Sequence, residues 1–450
     1  MDRQTILLQA RQAGVKLVRF LYCGNDGVIR GKTASIEALD ESLVAGIGLT
    51  QAMQSFTMLD RLVPEGTFGP VGEIRLLPDL DTFAVLPYAP KSARLLVDML
   101  QLDHTPWAVC PRTFLKRMIA RAGERGLRMV AAFENEFYLA RMDNEGRFLP
   151  FDRSNCFSSI GMDNATPIII DIVEALEKQG IAVQQYYPEL GPGQQEISVH
   201  HTDALGAADQ QIAVRETVRG VAASHGVVAS FAPKPFPDQA GSGCHMHFSL
   251  WDTASGQNAL YDPAGLYGIS PLGRHMIGGM LAHMPGLVAL TAPTVNSYRR
   301  LQPRFWSSAY ACYGPDNREA ALRIPSPFWG REAESTNVEL KPCDPTCNPY
   351  LALGAVLAAC LDGIERALES PAAVSVDPAT LSEEERERLG VHRLPLSLDE
   401  ALMALEHDKV LTEALGEPLA REYLLVKRAE WESFKDQGLE FELDQHFYKY

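Results

Sequence analysis

Two phosphate-binding signatures are missing from this 450-residue sequence. It has no complete Walker-type Gly-x-x-x-x-Gly-Lys-Ser/Thr loop, because Asp26 stands where the first glycine ahead of Gly31-Lys32-Thr33 would be, and no Gly-x-Gly-x-x-Gly turn ahead of a helix, so a P-loop kinase or a Rossmann enzyme is not expected. Positive charge is also short, with 41 Lys and Arg against 57 Asp and Glu and a formal net charge of −16. Phosphate backbones and anionic membrane surfaces attract basic proteins, so neither nucleic acid nor membrane is an expected partner. The longest apolar run, PYLALGAVLAACL (349–361), ends at Asp362 and is too short to cross a bilayer; it reads as a buried helix. The first residues, MDRQTILLQARQAG, form a mixed-charge amphipathic helix without the basic start and apolar centre of a secretory signal. Eight cysteines show no framework spacing, and Cys343 and Cys347 lack partners at zinc-site spacing. Reduced thiols and a cytoplasmic location are the expectation.

What is present reads as an ordinary globular chain, 46% apolar and 22% charged, with room for two domains or more. VKLVRFLY (15–22) and VIRGKTA, joined by GNDG, suggest a hairpin. A short helix near 36–46 follows, then strands at TFAVLPYA and ARLLVDML (93–100). Residues 1–103 are expected to form a small β-rich domain and 104–450 a second, catalytic one, with DHTPWAVCPRT (103–113) as linker. Pro111 opens a helix ending at Gly126, another is expected from Thr166–Pro167 to Gly180, and a longer one from 203 to 225. Strands and helices alternating between Gly and Pro turns fit an α+β domain on an antiparallel sheet.

Four strand-like segments carry ligand-type residues two apart, and side chains two apart leave a strand on one face. AAFENEFYLA (131–140) holds Glu134 and Glu136. In YYPELGPGQQEISVHH (186–201), Glu189 and Glu196 flank a Gly-Pro-Gly turn that can bring them together. AGSGCHMHFSL (240–250) aligns His245, His247 and Ser249, and STNVELKP (335–342) aligns Asn337, Glu339 and Lys341. Each group alone also fits a solvated face, a hydrogen-bonded core histidine or a surface ion pair. Together, five glutamates and a histidine among apolar neighbours fit Mg²⁺ or Mn²⁺ better. A cation-rich stretch, NSYRRLQPRFWSSAYACYGPDNREAALRIP (296–325), adds Arg299, Arg300, Arg304, Arg318 and Arg323. Singly these read as salt-bridge residues; opposite metals they suit phosphoryl transfer.

FENEF, ELGPGQQE, GSGCHMHFS, NSYRRLQP, DNREAALRIP and VELKPCDPTCNPYLAL stand in the order and spacing of the glutamine synthetase family, which this chain resembles from about 105 to 365 and more weakly on either side. The resemblance implies a small N-terminal β-grasp domain, a catalytic α+β domain, and a homo-oligomer of hexameric rings or a dodecamer with active sites between subunits. It implies two or more Mg²⁺ (or Mn²⁺) per subunit, with ATP as co-substrate. Glu136, Glu189 and Glu196 match the ligands of one ion, and Glu134, His245 and Glu339 those of the other. Arg300 matches the residue that receives the substrate α-carboxylate, and Arg318 and Arg323 those around the transferring phosphate. His247 and Ser249 match positions lining the nucleotide site, and Gly241 to Gly243 the loop beside the substrate. The implied reaction activates the γ-carboxyl of glutamate as an acyl phosphate, which an amine then displaces.

The departures concern the amine. The family's ammonium-binding aspartate aligns with Thr50, and Met53 falls near a family serine. Trp306, in RFWSS, occupies the place of a flap glutamate. Lys341 stands where an arginine is usual, keeping charge without the bidentate fork, and Asn337 and Ala240 replace other polar family positions. An ammonium site needs negative charge, whereas an indole offers apolar area and a π face. The expectation is therefore a γ-glutamyl ligase for a small amine, similar to the family's alkylamide, anilide and polyamine branches, with a mono-amine foremost. The alternatives are a glutamine synthetase using ammonia and a non-catalytic ring-forming member.

Overall fold

The computed structural model describes all 450 residues. A helix at Arg3–Gln12, whose first turn is capped by Asp2 accepting from the Thr5 amide at 2.8 Å, precedes a five-stranded sheet. Its strands are β1 (Leu17–Cys23), β2 (Ile29–Ser35), β3 (Ile47–Thr50), β4 (Glu73–Val85) and β5 (Ser92–Leu100), in the order β2-β1-β5-β4-β3. The first two form the expected hairpin, and β1 pairs with β5 in parallel. Gly27 in the hairpin turn has φ 84°, and a Cβ there would lie 2.0 Å from the Thr346 carbonyl, so the turn docks closely on the second domain.

Eleven strands build the larger sheet. They are β6 (Leu127–Met142), β7 (Phe148–Pro150), β8 (Val183–Pro188), β9 (Gln194–Val199), β10 (Thr202–Asp203), β11 (Val228–Ser230), β12 (Met246–Asp252), β13 (Tyr310–Pro315), β14 (Ala320–Ile324), β15 (Val338–Leu340) and β16 (His392–Arg393). The order is β16-β13-β14-β15-β12-β6-β9-β8, with β7, β10 and β11 also pairing to β6. All pairs are antiparallel except β13 with β14. The apolar run expected as a buried helix is one, Pro349–Glu365, with every residue from 349 to 363 buried. No helix is long and apolar enough to cross a membrane.

Two expectations need correction. The helix placed at 166–180 runs over Ser159–Glu177 with Pro167 inside it. Ser158, accepting from the Gly161 amide, caps the helix a full two turns before the proline taken as its start. The presumed linker is packed, since Trp107, Val109 and Cys110 are 4%, 1% and 2% exposed in the main core. At its end Arg112, 3% exposed, bonds Asp79 and Asp98 of the small sheet and Asp209 of the helix Ala204–Ser224. Removing one partner from such a buried cluster costs about 3–5 kcal/mol, so charge as well as apolar burial ties the small sheet to the helices Pro111–Gly123 and Ala204–Ser224.

Candidate active site

β6 is the central strand, and its neighbours decide what faces its glutamates. Glu136 lies opposite Glu196 on β9, and Glu134 opposite Ser198. On the other side β12 pairs with β6, and His247 of β12 lies opposite Glu339 of β15. Glu136, Glu196, His245 and Glu339 are 8%, 3%, 8% and 1% exposed. The side-chain periodicity thus gathers buried carboxylates from three strands, β6, β9 and β15, beside the histidines at and before β12.

The electrostatics split the group in two. Burial raises Glu136, and the nearby Arg300 offsets only part of that. Burial, then Glu136, lift Glu189 to about 7; burial, then Glu134 and Glu136, hold Glu196 well above the carboxylate range. These three carboxyls repel one another with too little cation between them. On the other side burial is outweighed. Glu134 is held well below the usual range, chiefly by His247, and Glu339 is lowered by Lys341 and His247. Burial and Lys341 depress His245 to about 4, whereas Glu134 overcomes burial to raise His247 to about 9.

His245 tests whether divalent ions fit. Its Nδ1 stands 3.3, 3.5 and 3.9 Å from carboxylate oxygens of Glu134, Glu339 and Glu136, while Nε2 faces Arg300 at 3.1 Å and Lys341 at 3.4 Å. One Nδ1–H can serve only one of three carboxylates, whereas a cation in their midst satisfies several. Ligand atoms of Glu134, His247 and Glu339 all lie within 4.8 Å of one another. The donor set fits a hard divalent cation, and His247, read from sequence as lining the nucleotide site, stands among the donors.

Arg300 is 3% exposed and donates to the carbonyls of Cys343 and Lys341, each at 3.3 Å. The glycines beside it are steric requirements: a Cβ on Gly243 would meet Arg300 Nη2 at 2.5 Å and His245 Nε2 at 2.7 Å, and one on Gly241 would meet Arg300 Cγ at 2.8 Å. The Gly243 amide donates to Glu136 at 2.8 Å. Arg323 pairs with Glu339 at 2.8 Å, and Lys341 with the same carboxylate at 3.2 Å. Ser249 is not joined to this group by a hydrogen bond; its hydroxyl accepts from the Trp251 indole at 2.9 Å. Arg318 is exposed and lines a separate cleft of about 280 Å³ with Trp306, Asp316, Glu319 and Asp377, a cleft whose walls do not include Arg300 or His245. Thr50 lies at the end of β3 in the small sheet, its hydroxyl accepting from the Ala52 amide.

Sequence reasoning passed over three polar neighbours. Tyr187 donates its hydroxyl to Glu196, and Gln194 donates to Glu136 at 3.2 Å and to the Gly241 carbonyl at 3.0 Å. Both stand in YYPELGPGQQE, where strand alternation offered a signal for them. The third is Glu319, 8% exposed, which accepts from the Trp306 amide at 2.8 Å.

A small sheet joined to a large antiparallel one, whose central strands converge carboxylates on arginine and lysine, is the architecture of an ATP-dependent carbon–nitrogen ligase. Family models described as glutamine synthetase catalytic domain and glutamine synthetase N-terminal domain match residues 108–446 and 1–107. The chain belongs to the glutamine synthetase family, which generally uses ATP and divalent metal ions. It is 36% identical over 420 residues to a gamma-glutamylpolyamine synthetase, GlnA3, of Streptomyces coelicolor, covering 93% of this chain and 90% of that protein. It is 33% identical to a glutamine synthetase of Thermotoga maritima, with both chains fully covered. Among solved structures, a GmaS/ADP complex superposes with a TM-score of 0.84 at 31% identity, covering 97% of this chain and 98% of that one.

Proposed function

We propose that the protein couples ATP cleavage to joining the γ-carboxyl of glutamate to a primary amine larger than ammonia. The observation that carries this reading is Trp306, an exposed indole that gives the Arg318 cleft an apolar wall and a π face suited to an alkyl or aryl group. Arg300 would receive the α-carboxylate of glutamate. Arg323 and Lys341, already gathered on Glu339, would face the transferring phosphate, with Arg318 closing from the exposed side. The γ-carboxylate attacks the terminal phosphorus, ADP leaves, and an acyl phosphate remains; the amine then attacks its carbonyl carbon, loses a proton and expels phosphate. Divalent ions held by Glu134, Glu136, Glu189, Glu196, His245 and Glu339 would neutralise charge on ATP, and His247 is placed to assist. Most of the rate would come from positioning and fixed charge. Ring assembly with sites between neighbouring subunits belongs to the same reading, supported by family membership.

Similarity to both amine- and ammonia-named relatives leaves the acceptor to experiment. Phosphate release is to be measured with Mg²⁺, ATP and glutamate against ammonium and a panel of alkyl, aryl and polyamine acceptors. The reading expects release to require glutamate together with an amine, and at least one amine to exceed ammonium. Fastest turnover of ammonium would return the protein to glutamine synthesis.

A further inference from the structure

Trp306 is itself held by a carboxylate. Its loop has positive φ at Arg304, Trp306 and Ser308 (65°, 54° and 65°), so specific contacts must fix it. Ser307 and Ser308 donate to the Arg300 and Ala320 carbonyls, each at 2.7 Å, and Lys234 stands 4.8 Å from the centre of the Phe305 ring. Arg304 stands 3.8 Å from Asp377, and the Trp306 amide donates to Glu319. Glu319 is placed in turn by Asn317, which accepts its amide at 3.0 Å and donates to the Val374 and Val376 carbonyls at 2.7 and 3.0 Å.

Holding an amide needs only a neutral acceptor, which a glutamine would supply. Glu319 is instead a buried acid, and no ion pair joins it to any Lys or Arg side chain. Lys341 is close enough to favour its charge, yet that ammonium is committed to Glu339. Burial first, and Asp377 after it, push the Glu319 carboxyl above its ordinary range. Keeping an acid here costs stability; the exposed Arg318 lines the same cleft, yet no cation of the chain pairs with the Glu319 carboxylate.

Resting on the proposed ligase reading, we propose that Glu319 supplies the negative wall of the acceptor site, meeting the ammonium form of a primary alkylamine whose carbon chain lies against the Trp306 indole. The carboxylate that position 306 lacks is thereby replaced from the adjoining segment, thirteen residues on. The Trp306 amide occupies part of its acceptor capacity and leaves lone pairs for an ammonium. Glu319 is then a specificity-determining residue as well as the anchor of the loop.

The test compares wild type, Glu319→Gln and Glu319→Asp in the full chain with Mg²⁺, ATP and glutamate. Ethylamine, a cation at neutral pH, is set against hydroxylamine, which is uncharged there and reports the same acyl phosphate as a hydroxamate. Glu319→Gln can still accept the Trp306 amide through its side-chain oxygen. The expectation is a kcat/KM loss for ethylamine roughly tenfold or more greater than that for hydroxylamine, carried mainly by KM, as for a lost charge-assisted contact. Glu319→Asp should recover part of the ethylamine loss. Equal losses for the two acceptors, or no loss for either, overturn the proposal and leave the ligase reading standing. Absence of glutamate-dependent hydroxamate from wild type overturns both. Should Glu319→Gln fail to fold, Glu319→Asp decides alone: a changed ethylamine-to-hydroxylamine ratio supports the proposal, and an unchanged ratio overturns it.

Discussion

The carboxylate floor and the loop above it solve the problem of placing charge in opposite ways. On the floor, Glu136, Glu196 and Glu339 stand on paired strands and are at most 8% exposed, so sheet register fixes them. The loop has no ladder to fix it, and Trp306 is 62% exposed, held by one main-chain bond and its neighbours' hydroxyls. A register shift of one residue would turn every floor ligand to the opposite face, whereas the loop can change side chains without disturbing a strand. The floor is therefore suited to a fixed step, phosphoryl transfer, and the loop to a choice of acceptor.

The largest effect should come from the floor. Glu339→Ala or Glu136→Ala is expected to lower kcat roughly 10²–10³-fold or more for every acceptor, and chelation with EDTA should match it reversibly. A loss confined to some acceptors would break the division between the two regions. Next, Arg300→Lys should raise the KM for glutamate roughly tenfold or more through loss of the bidentate fork, with the relative preference among amines retained. Trp306→Glu should then move the preference from ethylamine towards ammonium by roughly tenfold, leaving the KM for glutamate near its wild-type value.

The smallest effect separates the two halves of the floor by stability. Glu189 titrates at about 7 in the fold against an ordinary 4.5, lifted by burial and Glu136. Its favourable contribution is complete below pH 4.5 and is lost as pH rises through about 7. In EDTA, Glu189→Gln should therefore melt above wild type at pH 8, by on the order of 1 kcal/mol, and the gap should close towards pH 5. Added Mg²⁺ should stabilise wild type more than the variant. A gap that widens on acidification would contradict the assigned sign.

Much of the floor was legible because strands repeat every two residues. Glu134 with Glu136, His245 with His247 and Asn337 with Glu339 could be placed before any contact was known, as could the hairpin at Gly27. Cross-strand pairing is a tertiary fact, so His247 opposite Glu339 and beside Glu134 was not readable from spacing. Pro167 misled because the stronger local signal, Ser158 as cap, lay two turns upstream. Glu319 escaped because it sits in the turn before β14, where no periodicity marks a face, and next to an arginine that drew the attention.

A competition in one vessel pits the two acceptors against each other. Purified enzyme receives Mg²⁺, ATP, glutamate and equal concentrations of ammonium and ethylamine at neutral pH, and both amides are quantified by mass spectrometry. The expected result is γ-glutamylethylamide in excess over glutamine. Glutamine in excess would contradict it.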